Sequence, residues 1–162
     1  MWNLTPQSNR VNVPTSPVSI GRCNNHEARM SYDIDLVDPV TKEVLEAEVR
    51  HHITGGTYRM GGDTRLHLNV TYNFAPHFYR VFETFVDPTN VDSFDGKPRQ
   101  GIRTIYGKTG AESIPILKDA ISKLGDDVDT DYWKPTEGNA KQALCGLLAL
   151  AQMRPDGVWD GD

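Results

Sequence analysis

LHLNVTYN, residues 66–73, alternates apolar and polar side chains without a break. Successive side chains on a strand point to opposite faces. Leu66, Leu68, Val70 and Tyr72 are therefore expected on a core face, and His67, Asn69, Thr71 and Asn73 on the other. The same period of two runs through SYDIDLV (31–37), with Tyr32, Ile34 and Leu36 on one side. It resumes in EVLEAEVRHHI (43–53), with Leu45, Ala47 and Val49 aligned. DPVTK (38–42) separates those two runs, and its Asp38-Pro39 pair favours a turn. The expectation is an antiparallel sheet in which 31–37 and 43–53 form a hairpin with one wet face. GGTYRMGGD (55–63) carries two glycine pairs, which suit tight turns around a short ribbon or a loop cradling a ligand.

Beyond residue 74 the period lengthens. APHFYRVFETF (75–85) spaces Phe78, Phe82 and Phe85 near helical intervals, with Pro76 in the first turn, where its missing N–H matters least. Residues 86–100 form a connecting loop rich in Asp, Pro and Gly. Ile114, Leu117, Ile121 and Leu124 make a helical stripe, opened by a Thr109/Glu112 capping box. A last helix starts between Thr136 and Asn139 and presents Ala140, Ala143, Leu144, Leu147, Leu148 and Ala151, with Gly146 allowing close packing. Trp159 is expected to anchor the tail or to enter a neighbouring subunit. Strands followed by helices define an α+β class: an antiparallel sheet covered on one face by C-terminal helices. The organisation is an N-terminal arm over 1–30, then a single α+β domain over 31–162 that includes the Gly-rich ribbon at 50–65.

The 162 residues are enough for one domain with a substantial core. A formal net charge of -5 argues against non-specific attraction to nucleic acid or to anionic membrane. The N-terminal MWNLTPQSNR lacks the basic start and apolar run of a signal peptide, and no apolar stretch approaches the roughly 20 residues needed to span a bilayer. A cytoplasmic location follows as the expectation. The two cysteines, Cys23 and Cys145, are expected as reduced thiols, with Cys145 filling space inside the last helix.

GIRTIYGKTG (101–110) imitates a phosphate loop, but five residues separate Gly101 from Gly107 where that motif has four. Ile102, Ile105 and Tyr106 suit a short helix ended by Gly107. What remains is an anion site made by Lys108 and the free N–H groups at the next helix start, with Arg103 joining if it shares that face. His51 and His52 are adjacent on a strand and point apart, so they do not share a metal. DDVDTDYWKPTEG (126–138) lacks the central glycine and final glutamate of a calcium loop. No hydrolase motif is present, and a triad drawn from Ser113, His77 and an aspartate is unspecific. The sequence assigns no catalytic residue, no metal and no cofactor.

NVTYNFAPHF, GIRTIYGKTGAESIPILKDAI and YWKPTEGNAKQALCGLLALA together resemble small proteins encoded in phage and prophage genomes, over about residues 64–160. The resemblance lies in a strand of the form N-V-T-Y-N, two later helices and a W-x-x-x-x-G-N connector at 133–139. It implies origin and architecture and brings no activity with it. The expected function is that of a small phage-associated interaction or ligand-binding protein that inhibits a host factor or sequesters a small anionic ligand. The alternatives are a structural phage component and a small hydrolytic enzyme. The expected partners are a host protein or a small anionic ligand, together with further copies of the chain. The candidate ligand face combines Tyr72, Asn73, His77, Lys108, Trp133, Thr136, Glu137 and Asn139: polar groups orient a ligand while Tyr72 or Trp133 offers a flat apolar surface.

Overall fold

The computed structural model describes residues 30–162 apart from 54 and 57–59. The arm expected over 1–29 therefore lies outside the described residues, as does part of the glycine-rich ribbon. The described chain has the expected α+β architecture. Strands β1 (Ser31–Val37), β4 (His67–Thr71) and β5 (Val158–Gly161) form an antiparallel sheet in the order β4-β1-β5. Ile34 lies opposite Leu68 on one side and Gly161 on the other, and Leu36 lies opposite Trp159. The alternation places Tyr32, Ile34, Leu36, Leu68, Val70 and Trp159 on the buried face. The opposite face is polar. There His67 Nδ1 meets Asp35 Oδ1 at 2.8 Å, and Asn69 Nδ2 donates to Asp33 Oδ1 at 2.6 Å.

Two expectations about the strands need correction. The 31–37/43–53 hairpin closes only at its base, by Leu45 N–H to Leu36 O at 2.9 Å and a single bridge between Val37 and Val44. Both flanks of β1 are taken by β4 and β5. Strand β2 (Glu46–His51) diverges and pairs with the short β3 (Asp63–Arg65) in a separate two-stranded ribbon. Val49, expected inside, is exposed in consequence, while Leu45 and Ala47 are partly buried. The alternation of LHLNVTYN also ends early. Thr71 turns inward, is 1% exposed, and accepts the Asn73 N–H at 3.2 Å, starting a 3-10 turn over Tyr72–Phe74.

Helix α1 (Ala75–Phe82) buries Phe78, Val81 and Phe82, and a 3-10 turn over Gly101–Ile105 buries Ile102 and Ile105 beside it. Helices α2 (Gly110–Ser122) and α3 (Glu137–Met153) pack on each other, and α3 meets β4. A Cβ at Gly146 would come within 3.3 Å of Leu68 Cδ2, so this glycine lets the helix approach the sheet closely. The buried stripe of α2 is Ser113, Leu117 and Ala120, continued by Leu124 just past its end, and the expected Ile114 and Ile121 flank it. Cys145, expected to fill space, is exposed, because the face of α3 turned to the core is Ala140, Ala143, Leu144, Leu147, Leu150 and Ala151.

The start of α2 overturns the anion site expected beside Lys108. Thr109 and Glu112 form a reciprocal capping box, and Glu112 Oε2 already accepts the Thr109 N–H at 2.8 Å. The Gly110, Ala111, Glu112 and Ser113 N–H groups go to Gly157 O, Pro155 O, Thr109 Oγ1 and Thr109 O. No N–H is left there for an external anion. The bond from the Thr109 backbone holds the Glu112 carboxyl below its ordinary value. That depressed value makes the box stabilising above the ordinary carboxylate range and lost as pH falls through the folded value. Thr109→Ala should lower stability by about 1 kcal/mol, the usual size of a lost N-cap, and flatten part of the acid limb of a thermal-melt series against pH.

Candidate functional site

The structure divides the eight residues of the candidate face. Six meet at the connector between α2 and α3. Asn73 Nδ2 donates to Trp133 O at 2.8 Å, and His77 Nε2 lies 2.9 Å from Pro135 O. Thr136 caps α3 through the Asn139 N–H at 3.1 Å. Glu137 pairs with Arg80 at 2.6 Å and accepts the Gly125 N–H at 2.7 Å. Asn139 is 2% exposed; its Oδ1 accepts the Asp129 N–H, and its Nδ2 donates to Asp131 O and Lys134 O. These polar groups are engaged with the main chain and hold the connector in place. The aspartates of the connector do the same: Asp127 accepts the Gly138 N–H and Asp131 the Trp133 N–H. Two residues are not brought to this group. The Tyr72 hydroxyl turns to Arg103, and Lys108 stands at the capped start of α2. Ser113 and His77 also lie apart, Ser113 beneath Trp159 and His77 on Pro135.

A cleft of about 590 Å³ opens elsewhere, between the 91–100 loop, the 3-10 turn at 101–105 and β5. Its volume is in the range of small-molecule sites. The loop, expected as a plain connection, is tied at several points. Asp92 N–H bonds Lys97 O at 2.8 Å, Gly96 N–H bonds Asp92 O at 2.9 Å, and Arg99 N–H bonds Asn90 O at 2.9 Å. Asn90 Nδ2 in turn donates to Tyr106 O at 3.0 Å. Gly101 takes φ +58, which disfavours a side chain, and a Cβ there would lie a tight 3.3 Å from the Tyr79 ring, which forms one wall.

Two arginines line this cleft. The Arg103 guanidinium lies 5.2 Å from the Tyr32 ring centroid and 5.9 Å from that of Tyr72. Its Nη2 donates to the Tyr72 hydroxyl at 3.1 Å and its Nε to the main-chain oxygen of Asp162 at 2.9 Å. Its Nη1 has no hydrogen-bond partner among the described residues. Arg99 lies 5.7 Å from the Tyr106 ring centroid, and its buried Nε has no hydrogen-bond partner among the described residues. Burial pushes the Tyr32 hydroxyl up to about 12 and lifts those of Tyr72 and Tyr106 as well. All three stay protonated at neutral pH, so they back the arginines as neutral rings and do not serve as bases.

The cleft's carboxylates are committed locally. Asp92 accepts the Phe94 N–H at 2.8 Å, Asp160 the Gly161 N–H at 2.9 Å, and Asp162 the Asp33 N–H at 2.9 Å. Asp95 accepts the Lys97 N–H at 3.0 Å and pairs with the Lys97 ammonium at 3.3 Å. Four aspartates face Lys97, Arg99 and Arg103 along the lining, so no positive field draws anions from a distance. What the cleft offers is a local surplus of directed guanidinium N–H groups. The sequence showed Arg103 only as a partner for Lys108, and it gave no reason to single out Arg99. Periodicity says nothing about two loop arginines converging on tyrosines from three other segments. Among the described residues no group of histidine, cysteine, aspartate or glutamate is arranged to hold a metal ion, and no helix is long and apolar enough to cross a membrane.

No family model, curated protein or solved structure matches the chain. Its description as a phage protein, drawn from the three segments above, is thereby corrected: no relative of that kind is found, and the short segments alone do not carry it. No relative lends the terms protein binding and ligand binding any support either. The α+β description stands on the structure itself.

Proposed function

We propose that the protein binds a small anionic molecule in the cleft beside Arg99 and Arg103. The observation that carries this reading is that Arg99 and Arg103 both line the cleft, and that the buried Arg99 Nε meets no acceptor among the described residues. A buried donor left unsatisfied is unfavourable, and a planar fork of N–H groups matches a carboxylate or phosphate. Arg103, fixed by Tyr72 and Asp162, supplies a second donor with its Nη1 uncommitted. The mixed charge of the lining makes binding short-ranged, with affinity governed by hydrogen-bond geometry more than by ionic strength.

Titration with acetate and with inorganic phosphate, followed by NMR, tests this. The Arg99 and Arg103 Nε–H signals and the amides of 92–103 and 160–162 should shift together. Arg99→Gln should weaken binding about tenfold to a hundredfold, as expected for one charge-assisted hydrogen bond worth about 1.5–3 kcal/mol. Thermal stability should change little, since the Arg99 Nε has no hydrogen-bond partner among the described residues to lose. Shifts confined to other surfaces, or equal affinity in Arg99→Gln, would overturn the reading.

A further inference from the structure

The cleft's remaining walls bear on the rest of the ligand. Phe94 lines the cleft and is 98% exposed. Its loop does not fold the ring away: Asp92 fixes the Phe94 amide, the Asp92–Lys97 and Asp92–Gly96 bonds close the turn, and Gly96 takes φ +68. Tyr79, from α1, lines the same cleft at 49% exposure, with its ring beside Gly101. A single exposed apolar side chain is ordinary. Two aromatic rings lining one cleft with two under-used guanidinium groups is the lining expected for a flat ring bearing an anionic group.

We infer that the bound anion is aromatic, with its charged group on Arg99 and Arg103 and its ring against Tyr79 and Phe94. The inference rests on the anion site proposed above and adds the chemical class of the ligand. Aromatic carboxylates and aromatic phosphates share this chemistry. Ring-on-ring contact favours both over saturated molecules of equal size, because the edge and face of an aromatic ring carry opposite partial charge.

The probes are acetate, cyclohexanecarboxylate and benzoate for the carboxylate arm, and inorganic phosphate and phenyl phosphate for the phosphate arm. Binding to the whole chain is followed by NMR. In at least one arm the aromatic probe should bind about tenfold tighter than acetate or inorganic phosphate, and benzoate several-fold tighter than cyclohexanecarboxylate. The arm with the larger ratio identifies the charged group. Phe94→Ala should remove most of the aromatic advantage, read as the ratio of aromatic to non-aromatic probe affinity in the same variant. The exposed Phe94 side chain adds little to the fold, so this variant stays folded. If acetate or phosphate binds at the arginines but an aromatic ring adds nothing, or if the advantage survives in Phe94→Ala, the inference fails and the anion site stands. If no probe shifts Arg99 or Arg103, both fail.

Discussion

Trp159→Ala should lower the stability of the domain by about 3–5 kcal/mol, the usual loss when a large buried aromatic side chain is deleted. At 1% exposure Trp159 is among the largest fully buried side chains, and it sits opposite Leu36 on the edge strand β5. Its indole Nε1 donates to Ser113 Oγ at 2.8 Å, and that hydroxyl donates on to Gly110 O at 2.8 Å. One side chain thus joins β5, the sheet and the start of α2. The Trp159 backbone also accepts from Gly107 N–H and donates to Lys108 O, tying in the turn after the 3-10 segment. A melting-temperature fall of roughly 10 °C or more is expected for a domain of this size. Trp159→Phe retains most of the packing and loses the hydrogen bond, so its effect should be about 1–2 kcal/mol. A loss below about 1 kcal/mol for the alanine variant would show that β5 is not part of the cooperative core.

Asn139→Ala should be nearly as damaging, with a loss of about 2–4 kcal/mol. The side chain makes three hydrogen bonds to the main chain of the connector, from a position at the first turn of α3 where water is excluded. Removing it leaves the Asp129 N–H without its partner, a desolvation penalty of about 1–3 kcal/mol, and takes one bond each from the Asp131 and Lys134 carbonyls, which keep the Lys134 and Thr136 N–H groups. Hydrogen exchange separates this from a general loss of packing. The Asp129 amide should lose protection far more than amides in the middle of α2. Equal loss at both places, or full protection at Asp129 in the variant, would contradict the role assigned to Asn139. The result also bears on the candidate face read from the sequence. Asn139, Thr136, Asn73 and His77 do converge, but on the backbone of the connector.

Several elements were legible in the residues because their cause is local. Alternation in SYDIDL and LHLNV is enforced by the strand repeat, and the Thr109/Glu112 box by the four orphan N–H groups of any helix start. Phe78 and Phe82 fell on the buried side of α1 for the same reason. The misplaced parts depend on which surfaces are already occupied. The hairpin after Asp38 opens because β5, arriving from residues 158–161, claims the flank of β1. VWDG is too short to announce itself as a strand. The Lys108 anion site vanishes because Gly157 and Pro155 supply carbonyls to the helix start from the far end of the domain.

The amino-acid sequence by itself determined the α+β class, the apolar faces of β1 and β4 and the capping box of α2, since each follows from side-chain pattern within a dozen residues. Only the tertiary structure decided strand order, the inward turn of Thr71 and the meeting of Arg99 and Arg103 with Tyr32, Tyr72, Tyr79 and Phe94. Those outcomes depend on contacts between segments tens of residues apart, where the favourable term is shared packing and no local pattern records the partner.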